Sequence, residues 1–65
     1  MKLEIGNLVS WECAAGKLKG TISKIVLDLN AANQTVPWIM INTDRGGVRL
    51  CGTDSNLKAM RVQLA

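Results

Sequence analysis

The chain has 65 residues, a formal net charge of +3 and 48% hydrophobic residues. A chain of this length forms one domain, residues 1–65, with a small core, and such domains often need a disulfide, a metal or self-association for stability. Two cysteines and no histidine argue against a zinc site. We therefore expect a homo-oligomer. No apolar run is long enough to span a bilayer, and the N-terminus lacks the apolar core of a signal peptide, so we expect a cytoplasmic protein without membrane contact.

The first two predicted elements are strands joined by a short glycine-containing loop. Apolar and polar residues alternate over Leu8–Cys13, which is typical of a half-buried strand. Residues 14–17 form the loop, and a second strand covers Leu18–Leu29. Its apolar residues change parity between Ile22 and Ile25, which predicts a bulge or a sharp bend in one long strand.

The middle of the chain predicts a pair of strands. Residues 30–35 are small and polar and form a turn, and 36–42 is the strongest strand signal in the sequence. Pro37 cannot donate to a ladder, which places it at the start of a strand or on an edge. An Asp followed by paired glycines within 43–47 predicts a hairpin turn, and 48–51 is the fourth strand.

The last elements are one helical turn and a closing strand. Several helix-capping residues follow each other after Gly52, and Ser55–Ala59 is predicted to form the turn. Residues 60–64 form the fifth strand, with Met60, Val62 and Leu64 pointing inward. The predicted fold is all-β, with five strands and one short helical turn before the last strand.

This order of elements resembles the SH3-like barrel, and within it the Tudor, KOW and type II dihydrofolate reductase architectures. The resemblance covers most of the chain and is one of fold. The residues that carry it are Gly6, Val9 and Trp11, the segment 16–22, the hairpin 44–47 and the closing segment 57–62. It implies a five-stranded SH3-like barrel in a single domain.

Two activities known in these families find no matching residues. The type II reductases, which this order of elements resembles, have four short barrels around a pore that is lined by a strand of the form Val-Gln-Ile-Tyr. At the matching position, residues 48–51 of this chain read Val-Arg-Leu-Cys. Tudor-like readers of methylated side chains need several aromatic rings around one cation, and this chain has only Trp11 and Trp38. We expect neither activity, although an enzyme with a site at a symmetry axis stays a third hypothesis.

The third strand gives the main functional prediction. Both of its faces are apolar, so one core does not account for both, and a second face of this kind indicates contact with another subunit or partner. The predicted contact surface consists of Trp38, Ile39 and Ile41. The alternative is that the loop 30–35 folds over this face. We therefore predict a non-enzymatic binding module without a cofactor, which self-associates and contacts a protein partner.

The alternative function is nucleic-acid binding by an SH3-like barrel. Lys19, Lys24, Arg49 and Arg61 fall on the less apolar sides of their strands, and a shared basic face would contact phosphates. The competing interpretation is that these are scattered, solvated cations with Glu12 and acidic turn residues nearby. Steep loss of binding with added salt would distinguish the two.

Overall fold

The computed structural model describes residues 2–65, which form one antiparallel sheet of five strands and a short helix. The elements are β1 (Leu8–Cys13), β2 (Gly16–Leu29), β3 (Thr35–Thr43), β4 (Gly46–Cys51), α1 (Asp54–Ala59) and β5 (Gln63–Leu64). The strands lie in the order β4-β3-β2-β1-β5, and the sheet stays open between β4 and β5. The all-β prediction and the single helical turn before the last strand are confirmed. Within the described residues, no helix has both the length and the apolar character to cross a bilayer.

The predicted bulge in the second strand is confirmed. The pairing register between β2 and β3 shifts between Ile22 and Lys24, so Ser23 has no partner in the ladder. The Ser23 hydroxyl instead donates a hydrogen bond to the Met40 carbonyl, at 3.2 Å. An unpaired residue bends its strand. The first part of β2 pairs with β1 and the later part with β3, so one long strand serves both parts of the sheet.

The core lies on the inner face of this bent sheet, under α1. Directly opposite residues such as Ile41 and Val48 share that face, because side chains alternate along each strand. The buried cluster comprises Val9, Trp11, Ile22, Ile39, Ile41, Leu50, Leu57 and Val62. Val9 and Trp11 of β1 belong to this cluster, and the predicted inward position of Val62 is confirmed.

Gly20 allows two parts of the sheet to approach closely. A Cβ at this position would lie 2.5 Å from the Asn42 carbonyl oxygen and 2.7 Å from a methyl group of Ile41. Any side chain at residue 20 would therefore force the first part of β2 away from β3. This contact fixes how β1 and the start of β2 sit relative to the β3–β4 hairpin.

The predicted fifth strand, residues 60–64, is mostly wrong. Arg61 has a left-handed conformation, with φ of 53°. Its amide donates to the Lys58 carbonyl at 3.2 Å, and the Val62 amide donates to the Leu57 carbonyl at 2.9 Å. This pair of bonds is the Schellman motif that ends many helices. It holds residues 60–62 at the end of α1, which leaves a two-residue strand and an exposed Leu64.

Candidate functional site

The outer face of the sheet has two rows of side chains that run across β2, β3 and β4. Met40 and Trp38 alternate along β3 with the buried Ile39 and Ile41, so they point away from the core. Their directly opposite neighbours share the outer face. The first row consists of Lys24, Met40 and Arg49, and the second of Val26, Trp38 and Cys51.

Trp38 is the centre of this face. The Arg49 guanidinium carbon lies 4.3 Å from the centroid of the indole ring, which is within the range of a cation–π contact. The indole N–H donates a hydrogen bond to the Leu29 carbonyl at 3.3 Å. The half-buried ring is thus held between β2 and β4, and a positive charge lies against it.

Next to Trp38 the first row borders an open groove of about 450 Å³ at the bulge of β2. We call it the bulge groove. Lys24 and Arg49 lie on its two sides, since both are opposite Met40 in the ladder. The other lining residues are Ser23, Met40, Ile41, Asn42, Gly47 and Val48. The groove therefore combines an apolar centre with a cation on each side.

A second open groove of about 590 Å³ lies between the β1–β2 turn and the β3–β4 turn. We call it the turn groove. Its cations are Lys17, Lys19 and Arg45, and Asp44 is its carboxylate. Asn42 and Val48 line both grooves, so the turn groove and the bulge groove adjoin along the β3–β4 hairpin. Close packing at Gly20 keeps the two hairpins that form the turn groove together.

Positive charge is concentrated in these two grooves. They contain five of the eight lysines and arginines but one of the five acidic residues. The other three basic residues are outnumbered by the other four acidic ones, Glu4, Glu12, Asp28 and Asp54. The net positive charge of the chain is therefore a property of this surface.

The structure separates the four cations predicted from the sequence. Lys24 and Arg49 share a row and the bulge groove, and Lys19 lies in the adjoining turn groove. Arg61 lies elsewhere, at the end of α1, where its guanidinium is 3.7 Å from the Glu12 carboxylate. Three of the four cations thus line one continuous surface, and the fourth does not.

The predicted contact surface needs a correction. Ile39 and Ile41 are only 4% and 1% exposed, because they pack into the chain's own core. The outer face of β3 contains Trp38 and Met40 instead. The alternative placed the loop 30–35 over the second face of this strand. In the structure the core buries the isoleucines, residues 31–35 are exposed, and Asn30 closes the turn by accepting hydrogen bonds from two loop amides.

Sequence reasoning missed Lys17, Met40 and Arg45. Lys17 has the same parity as Lys19 along the second strand, which was the available signal. Arg45 lies in a hairpin turn, and the sequence gives no sign that this turn faces the β1–β2 turn. That neighbourhood depends on the bend of β2 and on the close packing at Gly20.

Comparisons with protein-family models, curated proteins and solved structures gave no significant match. Among residues 2–65, no three or more His, Cys, Asp or Glu side chains are grouped as a metal site would require. A proposal about function therefore rests on the geometry of the two grooves and of Trp38.

Proposed function

We propose that this chain is a non-enzymatic binding module whose outer face binds single-stranded nucleic acid. The observation that supports this proposal is the position of Trp38, with Arg49 against its ring and Lys24 in the next row. A protein partner at this same face is the competing outcome of the tests below.

The chemistry of the face matches both parts of a single strand. Lysine and arginine side chains bind phosphates by releasing counterions, which makes affinity strongly dependent on salt. Unpaired bases stack on aromatic rings and on guanidinium planes, and both are present where Arg49 meets Trp38. Base pairs in a duplex are already stacked on each other, so the face should prefer single strands.

The fold proposal is an SH3-like barrel. It is supported by the strand order β4-β3-β2-β1-β5, the bent β2 and the short helix before β5. The bend brings β1 and the β3–β4 hairpin over a common core, as in small barrels whose long second strand serves two sheets. An experimental structure in which β2 runs straight through residue 23, so that β1 and the β3–β4 hairpin do not cover one common core, would contradict this part of the proposal.

The experiment is fluorescence anisotropy with a labelled 12-nucleotide thymidylate strand, titrated from low to high salt. We expect a double variant, Lys24→Ala with Arg49→Ala, to bind at least tenfold more weakly at low salt. Its plot of log affinity against log salt should be shallower by about 1.4, since each phosphate contact to a single strand contributes about 0.7.

The matched control is Lys2→Ala with Lys58→Ala, which removes the same charge from residues that line neither groove. If both double variants lose affinity equally, net charge rather than the outer face causes binding. The proposal fails if the wild type does not bind the strand at low salt, or if it binds a 12-base-pair duplex as tightly.

Self-association is a second candidate function, favoured by two exposed leucines. Leu27 and Leu29 are 73% and 54% exposed, although they continue the same face of β2 as Ile25, which packs against the core. A second copy presents the same apolar strip, so two copies related by a two-fold axis would cover each other's leucines.

This candidate is tested by light scattering after size exclusion, at low and high salt. A dimer mass in both salts that becomes a monomer mass for Leu27→Ser with Leu29→Ser supports it, because burial of apolar surface does not depend on charge screening. A monomer mass for the wild type over the accessible concentration range contradicts it.

A further inference from the structure

We infer that a bound single strand continues from the bulge groove into the turn groove, where Lys17, Lys19 and Arg45 bind its phosphates. This inference rests on the proposed function, because it extends the path of the same ligand. It assigns a role to three cations that the row beside Trp38 does not include.

The two grooves provide one continuous path. Asn42 and Val48 line both, so the two grooves adjoin there, and a strand that leaves the bulge groove passes over these two residues into the turn groove. Along β3, Trp38 and Asn42 are four residues apart, which is roughly 13 Å at about 3.3 Å per residue. The longest dimension of the molecule is 30 Å. Binding sites for single strands span about 4 to 16 nucleotides, so both grooves fit within one such site.

The turn groove has the groups that a sugar–phosphate backbone requires. Two polar residues of β3, Asn42 and Thr43, also line it, and its apolar lining includes Leu8, Leu18 and Val48. Leu8 is exposed, which leaves an apolar surface for a base or a sugar next to the cations. With Asp44 as the acidic group, the charge of the groove stays clearly positive.

One further carboxylate, that of Glu12, lies close to this groove, and it forms an ion pair with Arg61. Glu12 is opposite Lys17 in the β1–β2 ladder. Its carboxylate is 3.7 Å from the guanidinium of Arg61, which follows the end of α1. Within residues 2–65, no carboxylate lies within 4 Å of the Lys17 ammonium, which can therefore contact a phosphate.

The test compares a 4-nucleotide and a 12-nucleotide thymidylate strand on the wild type and on the triple variant Lys17→Ala, Lys19→Ala, Arg45→Ala. We expect the triple variant to bind the 12-nucleotide strand at least tenfold more weakly, with a salt slope shallower by about 2. Binding of the short strand should change by less than twofold, because it needs only the groove beside Trp38.

A charge-conserving triple variant, Lys17→Arg, Lys19→Arg, Arg45→Lys, guards against a folding defect and should bind the long strand like the wild type. The inference is overturned if the alanine variant keeps the wild-type affinity and salt slope for the long strand, while the wild type itself binds. If the wild type binds neither strand, the proposed function fails and the inference fails with it. These two results are therefore distinguishable.

Discussion

Replacement of Gly20 by alanine tests the packing that holds the two hairpins together. The added Cβ would lie 2.5 Å from a backbone oxygen of Asn42 and 2.7 Å from a methyl group of Ile41. A backbone atom cannot rotate away as the end of a side chain can, so β2 and β3 must separate.

The expected magnitude follows from two opposing terms. Overpacking of this kind lowers the free energy of unfolding by about 3 kcal/mol. Replacing glycine also reduces the conformational entropy of the unfolded chain, which raises the free energy of unfolding by about 0.5 to 1 kcal/mol. The net destabilisation is about 2 kcal/mol. At about 0.05 to 0.15 kcal/mol per residue, a domain of this length has a total stability of roughly 3 to 10 kcal/mol, so the loss is a large part of it.

The assay is urea unfolding followed by circular dichroism, with Gly47→Ala as the matched control. Gly47 has no heavy atom within 4 Å of the position of an added Cβ, so its alanine variant should be as stable as the wild type or slightly more stable. With a slope of about 1 kcal/mol per molar urea, Gly20→Ala should lower the midpoint by about 2 M. Equal midpoints for the two variants would refute the reasoning.

Two further changes test the core and the end of α1. Ile41→Ala should destabilise the protein by about 2 to 5 kcal/mol, because it removes a buried side chain. Met40→Ala, on the outer face, should destabilise it less than half as much. Similar losses for the two variants in urea unfolding would show that Ile41 is not in the core. Arg61→Gly should be more stable than Arg61→Ala by about 1 kcal/mol, because only glycine adopts a positive φ without strain. Both variants lose the ion pair with Glu12, so this contact does not affect the comparison. A thermal unfolding midpoint that is higher for the alanine variant would contradict the left-handed conformation.

Much of the fold followed from local patterns in the sequence. Alternating apolar residues gave β1 with its observed bounds, and the change of parity after Ile22 gave the bulge. These signals depend on neighbours along the chain, which is why they could be read in advance. The closing strand was misjudged because a left-handed Arg61 has no sequence signature, as glycine is the usual residue there.

The candidate site could be predicted only in part. The apolar character of β3 was evident from the sequence. The bend of β2, however, decides which face of β3 becomes part of the core. Ile39 and Ile41 lie on the buried face of β3, and Trp38 lies on the outer face. The basic residues were recognised one by one. Their gathering into two adjoining grooves depends on how the two hairpins pack, and contacts between distant segments leave no periodic pattern in a single sequence.

The most direct test of the central claim is the affinity of Trp38→Ala for the 12-nucleotide strand, measured by anisotropy at low salt beside the wild type. Stacking of a base on an aromatic ring is worth about 1 to 3 kcal/mol, so we expect the variant to bind about 5- to 150-fold more weakly, with a salt slope within about 0.5 of the wild-type value. Binding by the variant that equals the wild type, or no binding by the wild type, would contradict a nucleic-acid-binding face centred on Trp38.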